Sequence, residues 1–544
     1  MKKCISMFLV IVLVLAVLTA CDTTGSGGVT TKKPDDSGTA AQVHKLKVLG
    51  PVDESLDIKF SDREEYPIWK KFEEMLKAKN LEITFETVPS DQYSVVIQTR
   101  LASSSDLPDL VNVSTVGNTS VLALAKQGMF LPINKIIEKG DGGAKRFLND
   151  VIPFVTKLNT SPDGNMYWIT NAEKITYQGK SCSTCMIILI RKDWLENLGL
   201  SAPKTAEEYK NVMKEFRKRD ANKNGVEDEI LALNPADFNN GIAQWFGLGT
   251  GITSVAIEEQ KIVSPWYQPG IKEYFRYLNE LVNEGILDTS LFGSNAGDRI
   301  NQKLIENKIG SQFSYAMQAW LEPAIKADNP EYLPIGPLKA VDGITPANSV
   351  ETPNLSWGTW AVTKNCKDEE GMAALIDILY SEEYQVITCW GVEGETFEVV
   401  DGVNRYLPGI GNKYRKEMAA NRICSGQYLW GDSVFPRLRF APMETEINRS
   451  PAHKADYQRQ VAFYKPTFPN DNNAFLAMPS DDQIEEVNSI ITDLTTYSQE
   501  LATNLALGEK SLNDWDKYMA DMKELGLDRL IEINQVQLDA YNNR

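Results

Sequence analysis

The chain has 544 residues, 42% of them apolar, with 11 tryptophans and a formal net charge of −18. A chain of this length and apolar content folds, and it exceeds what one ordinary core holds, so two domains or lobes are expected. The acidic balance excludes a nucleic-acid-binding protein, which needs basic patches. The only histidines, His44 and His453, leave no basis for a His-based zinc site or catalytic triad.

The N-terminus carries the order of a signal peptide. Lys2 and Lys3 supply charge, Phe8 to Leu18 is apolar, and Leu18-Thr19-Ala20-Cys21 reads as a lipobox. The apolar run is shorter than the about 20 residues a spanning helix needs. Cleavage after residue 20 exposes the Cys21 sulfur for lipidation; the plainer alternative is an ordinary signal peptide with an incidental cysteine. Residues 21–45 then form a linker rich in Gly, Ser, Thr, Lys and Asp, which cannot bury enough surface to fold. No later stretch is apolar and long enough to span a bilayer, so the expected location is the extracytoplasmic side of the membrane, held by lipid alone.

Leu46–Gly50 is expected as a strand. A helix over Tyr66–Lys79 carries Ile68, Trp69, Phe72, Met75 and Leu76 as one stripe. Leu81–Val88 begins with alternating Leu81, Ile83 and Phe85, a second strand. Asp91–Ser103 is helical and Asp109–Val113 is a third strand. Strand–helix alternation of this kind predicts a parallel α/β sheet. A helix from Val121 ends at Gly128, Asp163-Gly164 turns the chain, and Met166–Ile169 is a strand edge. Ser183–Ile190 is an apolar strand, followed by a short helix closed by Gly199. Thr205-Ala-Glu-Glu208 fits a capping box opening a helix with Tyr209, Val212, Met213 and Phe216 on one face. Further elements are a helix over Ile271–Leu287, a strand over Gly358–Thr363 and a helix over Gly371–Tyr380. The last are helices over Asp482–Leu507 and Ser511–Glu524. Cys182-Ser-Thr-Cys185 has redox-motif spacing but runs into a strand, so a buried structural role is expected.

Asp220-Ala-Asn-Lys-Asn-Gly-Val-Glu-Asp-Glu229 places oxygen side chains at alternate residues around a glycine turn. Calcium wants six to eight oxygens, and a loop of this type supplies them. Asp220, Asn222 and Asn224 fit the first three ligand positions and the Val226 carbonyl the fourth. Leu231 stands where the bidentate acid is expected. A polar Asn-Gly turn is the alternative, although a turn needs only one or two of these residues. The expected cofactor is a structural Ca2+.

Several motifs then fall into one order. Asp106-Leu-Pro-Asp-Leu110, Gly128-Met-Phe-Leu-Pro-Ile-Asn134, Asp163-Gly-Asn-Met-Tyr167, Ile190 to Tyr209 with its Pro-Lys-Thr-Ala-Glu-Glu helix start, Leu379-Tyr-Ser-Glu-Glu383 and Trp390-Gly-Val-Glu-Gly394 resemble family 1 extracellular solute-binding proteins. The last segment resembles the larger lipoprotein subgroup. The resemblance implies a type II periplasmic-binding-protein-like fold: two α/β lobes, each discontinuous, with hinge crossings near Tyr167–Ala172, Ser356–Ala361 and Gly391–Glu395. It implies lobe one over 46–168 plus 362–390 and lobe two over 169–361 plus 391–544. In the metal-like loop it implies Asp228 and Glu229 as the acids replacing the missing one.

The function this implies is a non-enzymatic capture protein of an ABC importer. It would act as a monomer, hold a carbohydrate between the lobes and dock on permease subunits. Sugars are held by aromatic platforms and a few fixed polar groups. Trp168, Trp245, Trp320, Trp357, Trp360 and Trp390 lie at expected crossings or loops, with Glu393 and Asp53 as hydroxyl acceptors. Trp320 follows a segment resembling the place where sugar-binding relatives put a stacking tryptophan. Trp320, Trp360 and Trp390 are expected on one surface. Trp69, Trp194 and Trp515 fit packing, and any single tryptophan is more often core. Two rival readings stay open. A glycoside hydrolase needs two carboxylates about 5–10 Å apart across the sugar, and no motif proposes them. A peptide-binding protein on this fold would favour backbone-pairing edges over aromatic stacking.

Overall fold

The computed structural model describes residues 42–52, 60–65, 67–104, 106–170, 172–177, 180–182, 186–234, 238, 241–249, 251–256, 259–292, 296–315, 332–336, 338–346, 359–389, 391–400, 403–407, 438–442 and 476–543. The leader, Cys21, the linker to residue 41 and the second cysteine of Cys182–Cys185 lie outside the described residues.

Eight strands build two main sheets: β1 (His44–Val52), β2 (Leu81–Pro89), β3 (Leu110–Asn112), β4 (Met186–Arg191), β5 (Ile230–Ala232), β6 (Ile309–Tyr315), β7 (Tyr332–Ile335) and β8 (Trp360–Val362). The first sheet has the order β8-β3-β1-β2, with β1 parallel to both neighbours and β8 antiparallel to β3. Central β1 is apolar in almost every residue from Leu46 because helices cover both faces. Leu46 and Val48 join one apolar cluster while Leu49 joins the other. Edge strand β2 keeps the alternation, with Leu81, Ile83 and Phe85 inward and Glu82 and Glu86 outward. The second sheet has the order β7-β4-β6-β5, with β6 antiparallel to β4 and parallel to β5.

Eight of the described helices matter most here: α1 (Pro67–Ala78), α2 (Ser90–Ser103), α3 (Asn118–Lys126), α4 (Ala206–Lys218), α5 (Ile271–Asn283), α6 (Glu369–Leu379), α7 (Asp481–Leu507) and α8 (Leu527–Asn542). α1 opens with Pro67 in its first turn and buries Ile68, Trp69, Phe72, Met75 and Leu76, the stripe its spacing predicts. α4 is capped by Thr205, whose hydroxyl accepts the Glu208 N–H at 3.1 Å. The return arm of the box differs from expectation: Glu208 accepts from the Lys204 N–H at 2.7 Å, one residue earlier. Gly199, at φ 66°, ends the Lys192–Leu198 helix in a left-handed cap.

Apolar clusters flank the two faces of the first sheet, and a separate large cluster surrounds the second. α7 sets Val487, Leu494, Leu501 and Leu505 into the second core, while Ile484 near its start joins the first-sheet cluster that includes Tyr93 and Trp168. The chain also ends in a helix, α8, that was not expected. Among the described residues, no helix is long and apolar enough to cross a membrane.

Candidate ligand and metal sites

The segments expected as the first two crossings lie side by side. The Ile169 N–H donates to the Trp360 carbonyl at 2.7 Å, and the Trp360 N–H donates to the Ile169 carbonyl at 2.8 Å. Because side chains alternate along extended backbone, Ile169 and Trp360 enter one cluster while Trp168 and Ala361 enter the other. Small polar residues collect where β3 and β8 meet these segments. The Ser114 hydroxyl accepts from the Thr359 N–H at 2.8 Å, and the Asn112 side chain accepts from the Ser114 N–H at 3.0 Å. The Tyr93 hydroxyl, from α2, donates to the Asn112 carbonyl at 2.7 Å. Tyr380, just beyond α6, donates to the Thr170 carbonyl at 3.5 Å. These are the carboxyl ends of β1 and β3, the edge at which parallel α/β sheets hold ligands.

Three of the six candidate tryptophans are described, and each of those is buried. Trp360 is completely buried, and its ring lies so close to Gly50 that a Cβ at Gly50 would meet Trp360 Cη2 at 2.7 Å. Trp168 is buried, and its Nε1 donates to Asn159 Oδ1 at 3.1 Å. Trp245 is buried in the second core, edge-on to Tyr209 with centroids 5.0 Å apart. Three separate apolar clusters enclose these rings, so in this structure they serve packing and present no common platform. Trp320, Trp357, Trp390 and Asp53 lie outside the described residues. Glu393 is exposed on a turn between Gly391 and Gly394. Gly391 is required there: at φ +89°, a Cβ would lie 2.1 Å from Thr396 Oγ1.

Sequence reasoning passed over several buried amides. Asn159 Nδ2, Gln244 Nε2 and Gln312 Nε2 are buried without a partner among the described residues. Gln244 alone carries a sequence signal, an amide within the apolar Ile242-Ala-Gln-Trp-Phe246.

The 220–229 loop is tightly organised. Asp220 and Lys223 adopt left-handed φ values of 48° and 61°, and Gly225 one of 83°. The Asp220 carboxylate accepts from the N–H groups of Asn224 and Gly225, both at 2.9 Å. Asn222 Oδ1 accepts from the Asn224 N–H at 3.0 Å, and Asn224 Oδ1 from the Val226 N–H at 2.8 Å. The Val226 carbonyl accepts from the Asp228 N–H at 3.0 Å. Asp228 Oδ1 accepts both Asn222 Nδ2 and Asn224 Nδ2 at 3.0 Å. Burial works to raise the Asp228 carboxyl, but those bonds and Lys308 outweigh it and hold it below its usual range. Glu229 is fully buried; its Oε1 accepts from the Asn222 N–H at 3.1 Å. Its Oε2 has no partner among the described residues. Burial raises the Glu229 carboxyl above its usual range.

The candidate ligand atoms are all oxygens, and one is a buried carboxylate oxygen with no partner among the described residues, which suits a hard cation. Among the described residues no three Asp, Glu, His or Cys side chains already converge at metal-binding distance. Most of the loop oxygens are instead engaged with its own N–H groups, Asp228 Oδ2 faces Lys308, and Glu229 Oε2 has no partner among the described residues.

Comparison with known proteins fits this architecture. Residues 61–386 match the bacterial extracellular solute-binding proteins, and the chain belongs to that family. It is 23% identical over 456 residues, 81% of each chain, to the fructooligosaccharide ABC transporter substrate-binding protein FusA of Streptococcus pneumoniae. The structure of FusA with kestose superposes with a TM-score of 0.71 at 21% identity, covering 92% of this chain and 99% of that one. An EF-hand mutant of FusA with fructo-nystose gives 0.70 at 21% identity, with the same coverage. The alginate-binding protein AlgQ2 without calcium ion gives 0.66 at 19% identity, over 92% of this chain and 98% of that one. The fold is therefore the two-lobed, type II periplasmic-binding-protein-like α/β fold.

Proposed function

We propose that this protein is the substrate-binding lipoprotein of an ABC importer, capturing an oligosaccharide between two lobes and passing it to permease subunits. The observation that carries the reading is a likeness to FusA across four-fifths of both chains, on a fold whose two sheets have separate cores. The lobe division proposed is the one expected from sequence, 46–168 plus 362–390 and 169–361 plus 391–544, with one change. Trp360 and Ala361 are assigned to the first lobe because β8 pairs with β3, and Ile169 goes with them because it pairs with Trp360. The family binds solutes, and the protein acts by capture rather than catalysis. Calorimetric titration with fructooligosaccharides, pectic and alginate oligosaccharides and a peptide mixture, with product analysis of each, tests this. Tight binding of an intact oligosaccharide is expected. Binding of peptides alone, or cleavage of the sugar, overturns it.

Cys21 is the proposed lipid anchor. Replacing Cys21 by Ser should release the protein from the membrane fraction. If the variant stays with the membrane as tightly as before, the anchor assignment is wrong.

The 220–229 loop is a proposed structural calcium site. Asp220, Asn222, Asn224, the Val226 carbonyl, Asp228 and Glu229 would hold the ion, which supplies fixed positive charge to a loop of carboxylates. A metal that binds only the folded chain raises its stability. Melting should therefore drop on chelation and recover with calcium, and Asp220→Ala should remove the difference. Identical melting in all of these conditions leaves a polar turn.

A further inference from the structure

Lys308 is the residue immediately before β6, and its carbonyl accepts the Ile230 N–H at 2.9 Å, where the 220–229 loop leaves for β5. The pairing of β5 with β6 thus sets the Lys308 backbone beside the end of the loop, within reach of Asp228. Its ammonium lies 3.3 Å from Asp228 Oδ2 and 2.9 Å from Glu306 Oε2. The other Asp228 oxygen is taken by the two asparagine amides. The remaining cations near the loop are used differently. Arg217 donates to the Glu229 carbonyl at 2.8 Å, on the main chain rather than on a carboxylate. Lys223 is exposed at the loop tip.

We infer that Lys308 is the loop's resident cation: it neutralises Asp228 when no divalent ion is bound, and it holds the affinity for that ion down. The inference rests on the calcium reading above. A divalent ion bound at Asp228 must share that carboxylate with the ammonium of a residue whose backbone the β5–β6 ladder holds beside the loop. Two consequences follow. The cation-free loop keeps its shape because one carboxylate is already paired. The ion binds more weakly than the same oxygens would otherwise allow, since ligand charge sets affinity in such loops. Extracellular modules of this chemistry work in the range of about 0.1–1 mM.

The test compares the mature chain carrying Lys308→Gln, Lys308→Arg or Lys223→Gln with the unaltered protein, by calcium calorimetry and by melting with and without calcium. Lys308→Gln should bind calcium roughly three- to fivefold tighter, the upper scale of one partly exposed ion pair. It should also melt lower than wild type without calcium and alongside it with calcium. Lys308→Arg keeps the charge and should hold Kd within about twofold, and Lys223→Gln, which removes a charge but no contact, should do the same. If wild type binds calcium and Lys308→Gln binds it equally or more weakly, Lys308 has no such role. Lys308 loses that role equally if Lys223→Gln tightens binding as much, because the effect is then general charge. If Lys308→Gln does not fold, a Lys308→Arg variant with strongly altered affinity overturns the inference. If neither wild type nor any variant takes up calcium at millimolar concentration, the calcium reading falls and the role of Lys308 with it.

Discussion

Trp360 shows how one residue is committed by its neighbours. Its ring crosses over β1 at Gly50, and the clearance leaves no room for a Cβ there. The ring is enclosed by the cluster that holds Leu46, Val48 and Phe72. Trp360→Ala should therefore cost about 3–5 kcal/mol, the usual loss for a buried aromatic side chain. Gly50→Ala should cost about 1–3 kcal/mol through overpacking. Glu393→Ala, on an exposed turn, should stay within about 0.5 kcal/mol. Urea unfolding of the three variants checks the order. If Trp360→Ala unfolds like wild type but loses ligand affinity, the ring serves the ligand and not the core. This distinction was not legible in the sequence. A tryptophan beside small residues reads equally as a cleft platform or as a ring needing close packing, and only the contact between residues 50 and 360 decides. The metal-like loop was legible because its chemistry is local: oxygen side chains at alternate residues and a glycine at the turn. Lys308 was not, since a lysine before a strand carries no signal until the strand's partner is known.

At the scale of elements, local periodicity foretold β1, β2, α1 and α4, where one stripe or one alternation carries the burial. It failed for α8, whose buried set of Leu527, Leu530, Ile533, Asn534, Gln537, Leu538 and Tyr541 includes two amides that interrupt the apolar stripe. The turn before the first crossing is held differently, by a single carboxylate. Asp163 accepts from the Ser161 hydroxyl at 2.5 Å, the Tyr167 hydroxyl at 2.6 Å and the Asn165 N–H at 2.9 Å. Burial would raise its pKa, but these donors prevail and hold the carboxyl well below the usual range. A depressed folded-state pKa contributes stability above the unfolded value of about 3.9, and that contribution is lost as pH falls toward the folded value. The stability gap between wild type and Asp163→Asn should be constant above about pH 5 and close as pH drops below about 4. Denaturant titration from pH 7 to pH 2 measures it. A gap that persists unchanged at pH 2 means the ionised carboxylate is not what holds the turn.

At the scale of the whole molecule, the paired crossings constrain how the lobes can move. Ile169 and Trp360 exchange both of their backbone hydrogen bonds, and Trp360 in turn belongs to a strand paired with β3. This pair therefore extends the first sheet, with both of its side chains in one core and those of the adjoining Trp168 and Ala361 in the other. Bending it would break ladder hydrogen bonds and open packed aromatic rings. Closure should therefore leave this ladder intact. A ligand that touches both lobes favours the closed form only by its differential affinity for it. It also stabilises the folded chain, by about 2.7 kcal/mol at a hundredfold excess over Kd. Saturating oligosaccharide should thus raise the melting temperature and reduce the radius of gyration seen by solution scattering. Calcium at the 220–229 loop should raise melting without contraction, because its expected ligands all lie within one loop. A sugar that raises melting but leaves the scattering unchanged binds one lobe alone, and capture by closure would then be the wrong description of this protein.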